Sequence, residues 1–214
     1  MTADLSTATR MFQSASDYVA EAGLLAEVEW QRRVTLDDFT ESDVLREMAW
    51  VVLCSGFRES VVRKVFDYIS LCFCDWESAE AIIDSDPACR IAALASFGNE
   101  SKINAIVQAA YLVQEQGFEY FKAAVVLNPL VELRRLPFIG PITVFHLAKN
   151  LGLDVAKPDR HLNRVADRLG FADADHLCTE IARVTGEQRN VVDILIWRYV
   201  ADGHYVAESG LLNS

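Results

Sequence analysis

The hydrophobic residues of this 214-residue chain recur at roughly every third or fourth position, and the strict alternation typical of β-strands is missing throughout. Polar capping residues and glycines divide this pattern into separate segments. Asn99, for example, can cap the segment "ESKINAIVQAAYLVQEQ", which Gly117 ends. Asp86-Pro87 likewise places a capping residue before a proline at the first helical position. The pattern predicts an all-α protein of about ten helices.

The chain is acidic as a whole, with a formal net charge of −11 at pH 7, which disfavours binding to nucleic acid. One window reverses this balance. Residues 130–170 contain seven basic and four acidic residues, a local charge of +3 against −14 for the rest of the chain. A single positive window on an acidic protein predicts a confined anion-binding face.

The cysteines and the apolar runs indicate the class of protein. The five cysteines are odd in number and scattered through helical segments, which predicts buried thiols and argues against a disulfide framework; they are Cys54, Cys72, Cys74, Cys89 and Cys178. No apolar run approaches the ~20 residues of a membrane helix, and the first residues do not resemble a signal peptide. We therefore expect a cytoplasmic protein with no membrane partner.

Residues 133–152, "LRRLPFIGPITVFHLAKNLG", predict two short helices joined by a tight turn. The first helix would end at Pro137, the turn would contain Gly140, and Pro141 would take the first position of the next helix. Backbone N–H groups exposed at such a helix start suit a phosphate oxygen. The alternative is an ordinary pair of packed helices with no ligand.

A second motif, "KPDRHLNRVADRLG" at residues 157–170, places Asp159 at the start of an amphipathic helix. Its carboxylate could cap that helix, or it could take part in chemistry. With "LPFIGPIT", this motif resembles the helix-hairpin-helix (HhH-GPD) superfamily of DNA glycosylases, which includes endonuclease III and the alkylbase glycosylases. The matching positions are Leu136, Pro137, Ile139, Gly140, Thr143, Asp159, His161, Arg164, Arg168, Leu169 and Gly170.

The resemblance covers about residues 45 to 200, and it implies a two-lobed helix-hairpin-helix DNA glycosylase fold with the active-site cleft between the lobes. One lobe would be a helical barrel over residues 38–150, ending in the hairpin at about 130–151. Residues 1–37 and 151–214 would form the second lobe, which carries Asp159. Such an enzyme acts on double-stranded DNA with the target base flipped out, and we expect a monomer.

In these enzymes a carboxylate stabilises the positive charge that develops on the sugar as the base departs, and it orients or deprotonates the attacking water. The resemblance assigns that role to Asp159. The position of the Schiff-base lysine of bifunctional members is Ile142, and the C-terminal four-cysteine iron–sulfur motif is missing, so no such cluster is expected. The sequence therefore indicates a monofunctional glycosylase that leaves an abasic site. It needs no metal or organic cofactor, although the resemblance allows a structural alkali ion at the hairpin.

The resemblance also suggests the residues that contact DNA. Phosphate contacts would come from the N–H groups of the hairpin turn, aided by nearby side chains: Ile139, Gly140, Ile142, Thr143, Lys157 and Arg160. Phe57 stands near the place of the family's wedge residue, or else belongs to the core, and Arg58 could contact the opposite strand. A pocket for a cationic base would combine aromatic rings with a carboxylate, and its candidates are Glu29, Trp30, Trp50, Tyr111 and Trp197.

Three other functions remain open. Phe138 replaces the first glycine of the hairpin motif, and together with the acidic charge this favours a non-catalytic helix-hairpin-helix DNA-binding protein. A glycosylase acting on hypermodified phage bases would serve in defence instead of DNA repair. A helical adaptor that binds other proteins would use the hairpin for packing alone.

Overall fold

The computed structural model describes residues 3–205, which form thirteen α-helices and no strand. The predicted all-α class is confirmed. The helices are α1 (Leu5–Glu21), α2 (Leu25–Arg33), α3 (Glu41–Cys54), α4 (Glu59–Cys72), α5 (Ala79–Asp84), α6 (Asp86–Ser96), α7 (Glu100–Gln116), α8 (Phe118–Leu127), α9 (Pro129–Leu133), α10 (Thr143–Asn150), α11 (Arg160–Arg168), α12 (Ala174–Thr185) and α13 (Arg189–Ala201). One 3₁₀ turn covers Cys74–Trp76. The estimate of about ten helices was low, and several of the thirteen helices have only five to nine residues.

The caps account for most of the helix boundaries. The side chain of Asn99 accepts a hydrogen bond from Lys102 N at 3.2 Å, and α7 ends at Gly117 as predicted. Asp86, by contrast, is the first residue of α6 and not its cap, because its carboxylate binds the Arg90 guanidinium one turn later. A polar residue before a proline therefore marks this helix start to within one position.

The chain divides into two compact units. The terminal unit comprises Met1–Val34 and Gly152–Ser214, and the central unit comprises Thr35–Leu151. The terminal unit thus combines two segments that are separate in sequence, while the central unit is continuous in sequence. No helix among the described residues is long and apolar enough to cross a membrane.

The terminal unit is built around α1 and α13. Apolar residues of α1 recur at helical spacing on one face and enter a buried core with residues of α11, α12 and α13. Arg198 of α13 donates two hydrogen bonds of 2.9 Å to the carboxylate of Glu27, and this bidentate pair joins α2 to the core helices. The backbone N–H of Asp4 donates to Leu169 O at 2.9 Å, which fixes the start of α1 beside the end of α11.

The central unit has its own aromatic core. Trp76 is buried, stacks on Phe73 with ring centroids 5.4 Å apart, and donates its indole N–H to Ser70 Oγ at 2.8 Å. The chain enters this arrangement through a turn in which three successive residues, Cys74 to Trp76, all have positive φ. The indole thus reaches the core with its polar atom satisfied.

The prediction that all five cysteines are buried thiols is wrong in part. Cys89 and Cys178 are buried, whereas Cys54, Cys72 and Cys74 are partly exposed because they lie at helix ends and in the 3₁₀ turn. No disulfide joins the five residues. Burial and the neighbouring Cys74 thiol raise the pKa of the Cys89 thiol to about 11, which keeps it protonated and unreactive.

Candidate active-site carboxylate and nucleic-acid interface

The predicted hairpin is present in the central unit, with boundaries that differ from the prediction. Its first helix, α9, ends at Leu133 instead of Pro137, and a series of turns leads to α10, which begins at Thr143. Pro141 therefore precedes the second helix by two positions. The reason is local: Gly140 N donates to Thr143 Oγ1 at 2.7 Å, so residues 140–143 form a separate turn before the helix starts.

The hairpin uses some of its own N–H groups. Ile139 N donates to Leu136 O at 3.2 Å, and Gly140 N is bound by Thr143. Among the hydrogen bonds of residues 3–205, the N–H of Ile142 has no acceptor. Of the three N–H groups expected to bind phosphate, the Ile142 group is therefore the one that the turn leaves available.

The left-handed position of the turn is Phe138, whose φ is +66°. This backbone conformation suits glycine and costs a residue with a side chain roughly 1–2 kcal/mol. At Gly140 an added Cβ would meet only Thr143 Oγ1 at 3.8 Å, which is an ordinary contact. The chain itself does not require glycine at position 140, and glycine there is typical of a backbone that another molecule approaches closely.

The second hairpin helix is tied to α3 through a buried carboxylate that sequence reasoning missed. Asn150 Nδ2 donates to Glu47 Oε2 at 2.8 Å, and both residues are buried. Burial raises the pKa of the Glu47 carboxyl, while Arg46 at 3.0 Å and Asn150 oppose that shift. A glutamate on the buried face of α3 was the available signal. Lys149 is also buried, so it does not add to an exposed basic face.

Asp159 is the N-cap of α11 in the terminal unit. Its Oδ1 accepts hydrogen bonds from His161 N at 2.8 Å and Leu162 N at 3.1 Å. Neither bond involves Oδ2, which lies 4.0 Å from Lys157 Nζ. The residue is only 9% exposed. One carboxylate oxygen thus holds the helix start, and the other lies near the Lys157 ammonium.

Two residues that sequence reasoning missed fix the segment before Asp159. Asp193 of α13 is 1% exposed and accepts a hydrogen bond from Lys157 N at 2.6 Å. Asn163 donates from Nδ2 to Pro158 O at 3.1 Å and accepts from Ala174 N at 3.1 Å. The backbone on which Asp159 stands is therefore held from both α11 and α13.

The other predicted DNA-contacting residues occupy both units. Lys157 is partly exposed beside Asp159, and Arg160 is exposed, with its Nε donating to His161 Nε2 at 3.4 Å. Phe57 lies in the turn between α3 and α4 and is 44% exposed, so it is not a core residue. Arg58 follows at the N-cap of α4 and is exposed.

The five candidates for a base pocket are divided between the two units. Glu29 and Trp30 lie on α2 in the terminal unit, where Glu29 pairs with Arg32 at 2.5 Å, and Trp197 lies on α13 of the same unit. Trp50 packs against Phe66 in the central unit with centroids 5.0 Å apart.

Tyr111 of the central unit is 45% exposed and donates its hydroxyl to Asp86 Oδ2 at 3.4 Å. The Arg90 guanidinium that binds Asp86 lowers the pKa of that carboxyl. The structure thus explains Tyr111 through a surface network and leaves the pocket a prediction.

A scan of the chain against protein-family models and a search of curated protein sequences each find no match. Among solved structures, the chain is similar to the crystal structure of the 8-oxoguanine DNA glycosylase of Thermotoga maritima, with a TM-score of 0.58 and 18% sequence identity. The similarity covers 92% of this chain and 98% of that chain. This chain therefore has the fold of a DNA glycosylase, as the two motifs predicted, and its activity must be argued from its own residues.

Proposed function

We propose that the protein is a monofunctional DNA glycosylase, which hydrolyses the N-glycosidic bond of a damaged or modified base and leaves an abasic site. The observation that carries this proposal is the divided use of the Asp159 carboxylate. Its Oδ1 is held by two backbone N–H groups, and its Oδ2 takes no part in these bonds and lies 4.0 Å from Lys157 Nζ. A fixed carboxylate with one oxygen outside the cap is what the reaction requires.

In this mechanism the bond between the base and C1′ breaks as a water oxygen attacks C1′. The base leaves with the bonding electrons, and the water proton passes to the Asp159 carboxylate or to solvent. The negative charge of Asp159 stabilises the cationic sugar during this step. Lys157, 4.0 Å from the carboxylate, and the exposed Arg160, which follows Asp159 in the sequence, supply the positive charge that a flanking phosphate needs.

The proposal excludes strand cleavage through an imine at the hairpin, because Ile142 offers a branched apolar side chain where bifunctional members have an amine. It requires no metal or organic cofactor, although an alkali ion at the hairpin carbonyls remains compatible with it.

The protein would act as a monomer in the cytoplasm on double-stranded DNA, with the base flipped out. Its net charge of −11 makes non-specific binding weak and sensitive to salt.

The test uses a panel of duplexes, each with one 8-oxoguanine, alkylated, deaminated or hypermodified base. The similar protein of Thermotoga maritima makes 8-oxoguanine the first member of the panel. Hypermodified phage bases test a role in defence. Hot alkali reveals abasic sites, and borohydride traps any imine. We expect cleavage only after alkali, no trapped complex, and no abasic sites with Asp159→Asn.

The substitution Asp159→Asn is suited to this test because asparagine caps helices as well as aspartate does. It retains an oxygen for the N–H groups of His161 and Leu162 and removes only the charge. Strand breaks without alkali would contradict the monofunctional mechanism. Abasic sites formed equally by the variant would contradict the role of Asp159.

A second candidate function is a non-catalytic DNA-binding protein, which the strained Phe138 and the acidic charge favour. This protein would retain duplexes at low salt and yield no abasic sites across the panel. The presence of Asp159 with its second oxygen outside the cap argues for the enzyme. An adaptor that binds only proteins would retain no DNA with either the natural sequence or Asp159→Asn.

A further inference from the structure

Two exposed aromatic rings of the central unit, far apart in the sequence, lie close to the same buried ammonium group. Phe57 lies between α3 and α4 and is 44% exposed, and Phe138 lies in the hairpin turn and is 49% exposed. The Nζ atom of Lys102 is 5.4 Å from the Phe57 ring centroid and 5.5 Å from the Phe138 ring centroid. Both distances lie within the range of a cation–π interaction.

The position of Lys102 is fixed from behind. Its side chain is buried, and Nζ donates to Ser55 O at 2.7 Å and also to Val52 O, at the C-terminal end of α3. These carbonyl groups carry the negative end of the helix dipole, which accounts for a cation in this buried place. Burial lowers the pKa of the Lys102 ammonium. The lysine thus links the end of α3, the Phe57 turn and the hairpin.

Phe57 has a second support. Its ring packs on Phe97, which is 7% exposed, with centroids 5.1 Å apart. Gly56, with φ of +76°, provides the left-handed turn that directs the chain from α3 into Phe57. One edge of the ring is therefore anchored, and the rest is exposed to solvent.

The backbone of Phe138 has a left-handed conformation that glycine would adopt without strain. A phenylalanine nevertheless occupies this position, and its ring is exposed. Burial does not explain the ring, because about half of it remains accessible. The available N–H of Ile142 and the exposed side chain of Arg134 belong to the same hairpin turn. Exposed aromatic faces next to anion-binding groups fit a polyanion that also offers flat apolar faces, which is a nucleic acid.

We propose that Phe57 and Phe138 form a two-ring stacking platform that enters the base stack of duplex DNA where a nucleotide has been extruded. From the sequence, Phe57 was a candidate wedge residue or a core residue; the structure shows its ring exposed and adds a second ring that comes from the hairpin itself. The inference rests on the proposed glycosylase function, because an extruded base leaves the gap that the rings fill. The hairpin would thereby contact both a phosphate and a base.

The experiment measures the affinity of the full-length protein for two duplexes by fluorescence anisotropy. One duplex contains a tetrahydrofuran abasic analogue, and the other is fully paired. Phe138→Gly removes the ring and relieves the left-handed strain, so its thermal unfolding midpoint should be equal to or higher than that of the natural sequence. We expect it to bind the abasic duplex about tenfold more weakly and the paired duplex almost unchanged.

Phe57→Ala should weaken binding to the abasic duplex by a similar factor. The matched control is Tyr120→Ala, which removes a ring that is 72% exposed on α8 of the same unit, and it should bind both duplexes as the natural sequence does. The fluorescence of 2-aminopurine opposite the gap should change with the natural sequence and respond less to Phe138→Gly.

Equal affinities of Phe138→Gly and the natural sequence for the abasic duplex would overturn the platform. A lower unfolding midpoint for Phe138→Gly would also overturn it, because the ring would then serve packing. If the natural sequence excises a base while Phe138→Gly binds like it, this inference fails and the proposed function stands. If the natural sequence binds neither duplex, the proposed function fails with it, and a protein partner would remain for the exposed rings.

Discussion

Two successive helices of the terminal unit begin with an aspartate in the same capping role. Asp159 caps α11 through Oδ1, which accepts His161 N at 2.8 Å. Asp173 caps α12 through Oδ1, which accepts His176 N at 2.8 Å. Asp159 also accepts Leu162 N, but both bonding patterns are ordinary helix caps, so capping by itself does not distinguish a catalytic carboxylate from a structural one.

The difference lies in what surrounds each carboxylate. Asp173 is exposed, whereas Asp159 is 9% exposed and has the Lys157 ammonium 4.0 Å from its second oxygen. The backbone before Asp159 is held by the buried carboxylate of Asp193. We therefore propose Asp159, and not Asp173, as the reactive carboxylate, because it is buried and the backbone before it is fixed in position.

The largest expected effect is on the excision rate, which should depend on Asp159 and not on Asp173. Asp159→Asn should lower the single-turnover excision rate by about 10²- to 10⁴-fold, because it removes the charge that stabilises the transition state. Asp173→Asn keeps the corresponding cap on α12 and should leave that rate unchanged. Rates are measured with excess protein on the duplex from which the natural sequence excises the base fastest. Similar losses in both variants would show that the carboxylate acts through folding.

The second prediction concerns the support that only Asp159 has. Asp193→Ala removes the acceptor of the Lys157 N–H from the buried position 193 and should reduce the free energy of unfolding by about 1–3 kcal/mol. It should also slow excision, since the Asp159 segment loses its anchor. Asp193→Asn keeps an acceptor oxygen and should lose less. Urea unfolding gives both free energies.

The control for Asp193 is Asp175, which lies in the first turn of α12 beside Asp173 and pairs with Arg189 at 3.2 Å. Its side chain is exposed, so Asp175→Ala should change stability by no more than about 0.5 kcal/mol. A loss of stability as large as that of Asp193→Ala would show that the buried anchor before α11 contributes no more than an exposed carboxylate at the start of α12.

The cap at Asp159 could be predicted from the sequence, whereas the anchoring of its backbone could not. The cap at Asp159 depends on residues two and three positions away, so the motif predicted it. The hydrogen bond from Lys157 N to Asp193 spans 36 positions, and no local pattern contains that information. Local hydrogen bonds follow from neighbouring residues, whereas the anchoring of a site follows from tertiary packing.

The hairpin shows a second limit. Its existence followed from spacing and apolar residues, but the left-handed turn position falls on Phe138, where turn rules would place glycine. The buried Lys102 is a similar case, because a charged residue in an amphipathic helix is ordinarily assigned to the solvent face. Such exceptions to local rules occur where the fold or a ligand compensates for them, and single-sequence patterns do not show the compensation.

The third prediction compares the two caps by stability. Asp159→Ala and Asp173→Ala should each reduce the free energy of unfolding by about 1 kcal/mol, because each leaves N–H groups at a helix start without their acceptor. The corresponding asparagine variants should change it by a few tenths at most. A much larger loss for Asp159→Ala would indicate that its burial adds to the cost. The four variants are measured by urea unfolding at one pH.

The smallest expected effect concerns the cation beside Asp159. Lys157→Met retains most of the side-chain length and removes the charge, so one phosphate contact should be lost. The slope of the logarithm of the binding constant against the logarithm of the salt concentration should become less steep by about 0.9. Arg189→Met is the matched control, because Arg189 pairs with Asp154 and Asp175 beside the other helix start and should leave the slope unchanged. Equal slopes for Lys157→Met and the natural sequence would show that Lys157 interacts with the Asp159 carboxylate and not with a phosphate. A less steep slope for both variants would mean that the DNA also extends over the start of α12.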